Sequence, residues 1–294
     1  MKKVKDYFLL IKPSLSIMVV FSSVISYLLT PKVVEYDLKM IVLLFAGGLL
    51  VTGSANAINQ VMEKNTDAVM MRTKNRPVAA GRMSQQEGWA FAIIAGAIGI
   101  YILGFFFNWL SAGLALFSLF LYGFIYTPLK KINSMAVFAG AFPGALPCLI
   151  GWAAGDDKLS AGGWVLFAMQ FLWQFPHFWA IAWIAHKDYT VAGFKLLPAE
   201  GGPTKFTAAQ GLIYSLLFLP ASLMPYFMQM CRYDDLRGII SLTIIILANI
   251  FLIRRSVQLY RKMDMKSARR VMFGSYIYLP VVLLALLMSK VHIQ

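Results

Sequence analysis

Long apolar runs dominate the chain. Stretches without Asp, Glu, Lys or Arg cover 13–31, 40–62, 88–129, 132–155, 159–186, 206–231, 238–253 and 271–289. A helix needs about 20 apolar residues to cross a bilayer core. The run 88–129 is about twice that length and carries Asn108-Trp109 at its middle, which predicts two helices joined by a tight turn. The pattern therefore predicts nine transmembrane helices. The shortest run, 238–253, precedes Arg254 and Arg255, whose stems can lie along the slab while their guanidinium groups reach water. Barrel strands are excluded, because the runs are too long and do not alternate. No Gly-, Ser- or Pro-rich linker divides the chain, which predicts one all-α integral membrane domain over 1–294.

Composition narrows the class. The 294 residues are 59% hydrophobic and 14% charged, against about 25% charged in a soluble domain. Mean hydropathy is +0.68. Disordered, collagenous, small disulfide-stapled and cytosolic dinucleotide-binding proteins are excluded. Cys148 and Cys231 offer neither metal-ligand spacing nor a disulfide framework. No cleavable leader is expected in the short basic stretch 1–12, so the run after it is read as the first span.

The net charge of +14 changes the picture through its distribution. With the N-terminus in the cytoplasm, only Lys32, Lys39, Lys158, Arg232, Arg237 and Lys290 of the 27 Lys and Arg fall outside. That bias orients the spans and predicts a multi-pass protein of the cell inner membrane with its polar groups on the cytoplasmic side. The basic total is thus a topology signal, with anionic lipid facing 254–270, and no nucleic-acid partner is expected.

Two polar clusters fall at that inner side. In the first, Asn59, Glu63 and Asp67 recur every four residues at the end of the second span, with Asn56 just before. Steps of four advance only about 40° around a helix, so the three side chains form one stripe. Two carboxylates and an amide are hard oxygen donors suited to Mg²⁺, which completes its shell with water and phosphate oxygens. Arg72, Lys74 and Arg76 follow, and arginine presents a planar fork to phosphate. Pro77 is expected to stop the helix near the last arginine. Charges beside a span are often plain topology determinants; that reading accounts less well for acids aligned on one face at a membrane boundary, and the spacing alone leaves it and a metal–phosphate cradle both open. The second cluster runs Trp173-Gln174-Phe175-Pro176-His177-Phe178, then His186-Lys187-Asp188-Tyr189, and Tyr126 with Lys130-Lys131 lies between the two. Acids gathered at one end of the spans beside arginines suit phosphate chemistry better than a transport pathway.

At these residues the chain resembles the UbiA superfamily of intramembrane prenyltransferases. The Asn59-x3-Glu63-x3-Asp67 stripe looks like its first Asp-rich motif. Met70-Met-Arg72-Thr73-x-x-Arg76-Pro77, Tyr126-Thr-Pro-Leu-Lys130, Pro143-Gly-Ala-x-Pro147 with Gly151-Trp152, Gln174-x-Pro176-His177-Phe178, and Asp188-Tyr189-x-x-Ala192-Gly193 with Leu197-Pro198 are similar to its heme-farnesylating branch. The resemblance implies a nine-helix bundle with a cytoplasm-facing polar site. It also implies transfer of farnesyl from farnesyl diphosphate to a vinyl group of heme B, with addition of water. A heme A synthase or a terminal-oxidase assembly factor would receive the product. Prenylation of an aromatic quinone precursor is the alternative within the same fold. Asn59, Glu63, Asp67 and Asp188 would hold Mg²⁺, and with Tyr126 and Tyr189 form the catalytic set. Arg72, Arg76 and Lys130 would meet diphosphate, and Asn56, Lys131, Gln174, His177, His186 and Lys187 complete the substrate-binding candidates. His177 is read either as a buried hydrogen-bonding residue or as an iron or porphyrin contact. Two departures stand out: Glu63 replaces the usual Asp, and Asp188 is a single acid where other branches carry two.

Overall fold

The computed structural model describes residues 2–199 and 201–291. Among them all regular structure is helical apart from one isolated bridge, Cys231 to Lys290. The order is α1 (Lys2–Ile11), α2 (Pro13–Leu29), α3 (Leu38–Met62), α4 (Lys64–Val69), α5 (Gln85–Phe106) and α6 (Trp109–Phe120). A π-helical turn, Leu121–Tyr126, leads into α7 (Thr127–Leu129). Then come α8 (Met135–Asp156), α9 (Ala161–Ile184), α10 (His186–Val191), α11 (Lys205–Phe227), α12 (Leu236–Lys262) and α13 (Met265–Met288).

The helix starts follow from capping chemistry. The first turn of a helix leaves N–H groups without partners. Asp37, Ser84, Asn108, Thr204, Asp235 and Asp264 each accept one of them, at the heads of α3, α5, α6, α11, α12 and α13. Asn108 splits the long run 88–129 where expected. Its Oδ1 accepts the Ser111 N–H at 2.8 Å, and its Nδ2 donates to the Ala153 carbonyl of α8 at 2.7 Å.

Among the described residues, seven helices are long and apolar enough to cross a membrane: α3, α5, the unit Trp109–Leu129, α8, α11, α12 and α13. An eighth arises if α1 and α2, bent by 46° at Lys12, count as one broken span. The remaining long helix, α9, has 24 residues but carries Gln170, Gln174 and His177, all buried inward.

Small residues let the backbones approach, as membrane bundles require. A methyl at Gly99 of α5 would lie 2.8 Å from the Gly47 carbonyl oxygen of α3. One at Gly151 of α8 would run into the Ser23 carbonyl of α2. Trp152 fills the core against Gly162 and Gly163 of α9, with its indole N–H donated to Ser160 at 2.7 Å.

The first polar stripe is carried by two helices. α3 ends at Met62, and Glu63 is the joint to α4, with φ −95° and ψ 14°. The hydrogen bonds from Glu63 N to Asn59 O (2.9 Å) and from Asp67 N to Glu63 O (2.7 Å) carry the register across the joint, so the stripe survives. The expected stop at Pro77 is corrected: α4 ends at Val69, and Met70 is extended. The Thr73 hydroxyl donates to the Asp67 carbonyl at 2.9 Å, and this turn swings 70–76 back over the stripe.

Candidate functional site

The stripe faces a cavity of about 170 Å³. Asn59, Glu63 and Asp67 arrive from α3 and α4, Arg72 and Arg76 from the turn after α4, and Tyr126 and Lys130 from the segment around α7. Tyr189 enters from α10. The π-helical turn matters here. Such turns carry an extra residue and cluster at functional sites, and this one puts the Tyr122 and Tyr126 rings 5.3 Å apart on the cavity wall.

Every carboxylate of the stripe already has a cation. Asp67 is fully buried, and Arg76 Nη1 donates to both of its oxygens at 2.8 and 2.7 Å. Lys130 Nζ donates to Glu63 Oε1 at 2.8 Å, and both side chains are buried. Lys12 Nζ donates to Asn59 Oδ1 at 3.1 Å. Arg72 donates to the Tyr189 hydroxyl at 2.6 Å and lies 4.7 Å from that ring's centroid, while its backbone N–H reaches Asp188 Oδ2 at 3.3 Å. Lys130 stands 4.5 Å from the Tyr126 ring centroid. The cavity thus holds two acid–cation pairs, Asp67–Arg76 and Glu63–Lys130, with two further basic side chains, Lys12 and Arg72, on neutral partners. An incoming polyanion can take over the cations, and a hard metal ion the oxygens. Among the described residues, no three His, Cys, Asp or Glu side chains converge as a ready-made metal cluster.

Behind the polar cavity lies an apolar one of about 90 Å³ between α2, α3, α6 and α8. Leu15 and Tyr122 line both.

Several candidates lie elsewhere. Asn56 turns away from the acids and donates to the Ile11 carbonyl and to Ser16 Oγ, both at 3.0 Å, which fixes the α1–α2 bend. Gln174 donates to the Ala141 carbonyl at 2.9 Å within the bundle. His177 stacks on Trp173 at 4.9 Å, and its Nδ1 is 2.8 Å from Ser275 Oγ of α13; it lines neither cavity. His186 lies in an adjoining space, and Lys131 and Lys187 are exposed at the surface. Sequence reasoning missed Lys12, Tyr122 and Phe194, which line the polar cavity together with Phe178 of the second cluster. A lysine directly before Pro13 at the mouth of a span, and a tyrosine four residues before Tyr126, were the available signals.

Comparison with known proteins shows the family and the fold. A sequence model of the UbiA prenyltransferase family matches residues 19–279. The protoheme IX farnesyltransferase of Cytophaga hutchinsonii is 41% identical, over 97% of this chain and 98% of its own. That of Flavobacterium psychrophilum is 38% identical, over 97% of this chain and 94% of its own. Among solved structures, a digeranylgeranylglyceryl phosphate synthase superposes with a TM-score of 0.78 at 21% identity, covering 98% of this chain and 99% of that one. A UbiA homolog from Archaeoglobus fulgidus bound to GPP and Mg²⁺ superposes with a TM-score of 0.68 at 14% identity, covering 96% and 99%. These two likenesses establish the fold.

Proposed function

We propose, from the premise that this chain belongs to the UbiA prenyltransferase family, that it transfers the farnesyl group of farnesyl diphosphate to a vinyl group of heme B. Water adds in the same overall reaction, giving heme O and diphosphate. The observation that carries this reading is the near full-length identity to protoheme IX farnesyltransferases, 41% and 38% in the two relatives above.

The site's own residues supply a mechanism. Lys12, Arg72, Arg76 and Lys130 converge on one cavity and bind the diphosphate. The farnesyl chain runs past Leu15 and Tyr122 into the apolar space behind, where burial of its methylenes stabilises binding by roughly 25 cal/mol per Å². On the cavity wall the donor set of Asn59, Glu63 and Asp67 is all oxygen, which fits Mg²⁺, and these residues would hold it; Asp188, outside that lining and beside the Arg72 N–H, is the remaining candidate ligand. Bound there, Mg²⁺ would neutralise charge on the departing diphosphate. As the phosphate oxygens take Lys130 and Arg76, Glu63 and Asp67 are released from their ion pairs and become free to ligate. Tyr126 and Tyr189 line the cavity with Lys130 and Arg72 held against their rings, and once the diphosphate draws those cations away the rings can stabilise positive charge on the allylic carbon. The apolar space behind, lined by Val19, Val20, Val51 and Leu119, keeps water from the chain that enters it.

The membrane reading extends this. The inward-facing Gln170, Gln174 and His177 lower the apolarity of α9 without exposing it to lipid, which supports α9 as a span and, with the bent α1–α2 pair counted as one, nine in all. The bias of Lys and Arg supports an inner-membrane protein with its N-terminus and site on the cytoplasmic side. The product passes to a heme A synthase or a terminal-oxidase assembly factor.

The test is direct. Purified protein is given heme B, farnesyl diphosphate and Mg²⁺, and the product is read by mass. A heme O mass that disappears with EDTA supports the reading. Prenylation of 4-hydroxybenzoate with none of heme overturns it.

A further inference from the structure

A second cavity, of about 360 Å³, adjoins the polar one. Ala182, Tyr189, Phe194 and Leu196 line both, so the two spaces share a wall. One side of that wall is committed to the cations. The Tyr189 hydroxyl accepts from Arg72 at 2.6 Å, and the Phe194 ring centroid is 5.7 Å from the Lys130 ammonium. The other side is apolar, with the Tyr189 and Phe194 rings 5.8 Å apart at 63°. His186 and Lys195 also line this second space. Neither side chain has a hydrogen-bond or ion-pair partner among the described residues.

Apolar and aromatic walls with two unpaired nitrogen groups suit a flat apolar molecule that carries carboxylates on one edge. Burying the ring drives binding, and the nitrogen donors compensate the carboxylates as they leave water. The polar cavity, with its cations, is matched to the other substrate. We propose that the second cavity is the acceptor site. A dicarboxylate tetrapyrrole lies against Phe194 and Leu196 with its carboxylate edge at Lys195 and His186, and the Tyr189–Phe194 wall sets its reactive edge beside the allylic carbon. This assignment rests on the heme-farnesylation reading.

The test uses the full-length chain in detergent, titrated with protoporphyrin IX and with its dimethyl ester by porphyrin fluorescence. The metal-free ring separates carboxylate recognition from iron ligation. The free acid should bind about tenfold more tightly than the ester, the equivalent of one charge-assisted contact. Thr190→Trp fills the cavity from an exposed position on α10 and should weaken both ligands about tenfold. Lys195→Glu should weaken the free acid by a similar factor and spare the ester. Both variants should keep wild-type affinity for farnesyl diphosphate, which reports an intact fold. Equal binding of acid and ester, or unchanged porphyrin affinity in both variants, overturns the acceptor site. Heme O formation by the wild-type chain then shows that the reaction reading stands apart from it, and its absence overturns that reading as well.

Discussion

Replacing Lys130 with methionine removes one ammonium and keeps most of the side-chain volume. The ammonium sits 2.8 Å from Glu63 Oε1 and 4.5 Å from the Tyr126 ring centroid, and both ion-pair partners are buried. At that separation the attraction is about 6 kcal/mol in an effective dielectric of about 20. Desolvation of the two charges offsets much of it. The variant leaves Glu63 either charged without a partner or forced to take up a proton, and breaking such a pair from one side costs about 3–5 kcal/mol. Loss of the cation–π contact adds about 0.5–2 kcal/mol. The diphosphate separately loses a charge-assisted hydrogen bond worth about 1.5–3 kcal/mol, one to two orders of magnitude in kcat/KM. The double variant Glu63→Gln/Lys130→Met separates the two effects. It leaves no unpaired buried charge, so it should be more stable than Lys130→Met alone, while turnover stays low. Thermal denaturation in detergent and steady-state kinetics against farnesyl diphosphate measure both. A wild-type KM and kcat in Lys130→Met, or a double variant no more stable than the single one, refutes the reasoning.

Asp67→Asn should lower Mg²⁺-dependent diphosphate release by about two orders of magnitude, with the protein still eluting as a folded species. Asp188→Asn should act in the same direction, and unchanged turnover in both would remove the proposed metal set. Tyr189→Phe deletes the hydroxyl that holds Arg72 and should cost about tenfold in kcat/KM. Arg72→Lys should cost more, since lysine replaces neither the fork nor the planar contact with the ring. Gly151→Ala drives a methyl into the Ser23 carbonyl of α2 and should abolish recovery of monodisperse protein, as read by size-exclusion chromatography.

The sequence by itself determined the all-helical membrane class, the turn at Asn108, and the clustering of the acids and arginines beside the spans, though not the exact number of spans. These follow from local rules. A lipid environment demands long apolar helices, and an acid near its boundary stands out against them. The four-residue spacing of Asn59, Glu63 and Asp67 likewise placed them on one face, and even the break at Glu63 preserves it. Only the tertiary structure decided what those side chains meet. Arg72 and Tyr189 are 117 residues apart, and Lys130 and Glu63 are 67 apart. Periodicity fixes a residue's direction around its own helix axis, but its partner depends on how distant helices pack. For that reason it took the packed bundle to place His177, read from the sequence as either a buried hydrogen-bonding residue or a heme contact, against Ser275 of α13. For the same reason Asn56 holds the α1–α2 bend, and Lys12, from the far end of the sequence, completes the cavity.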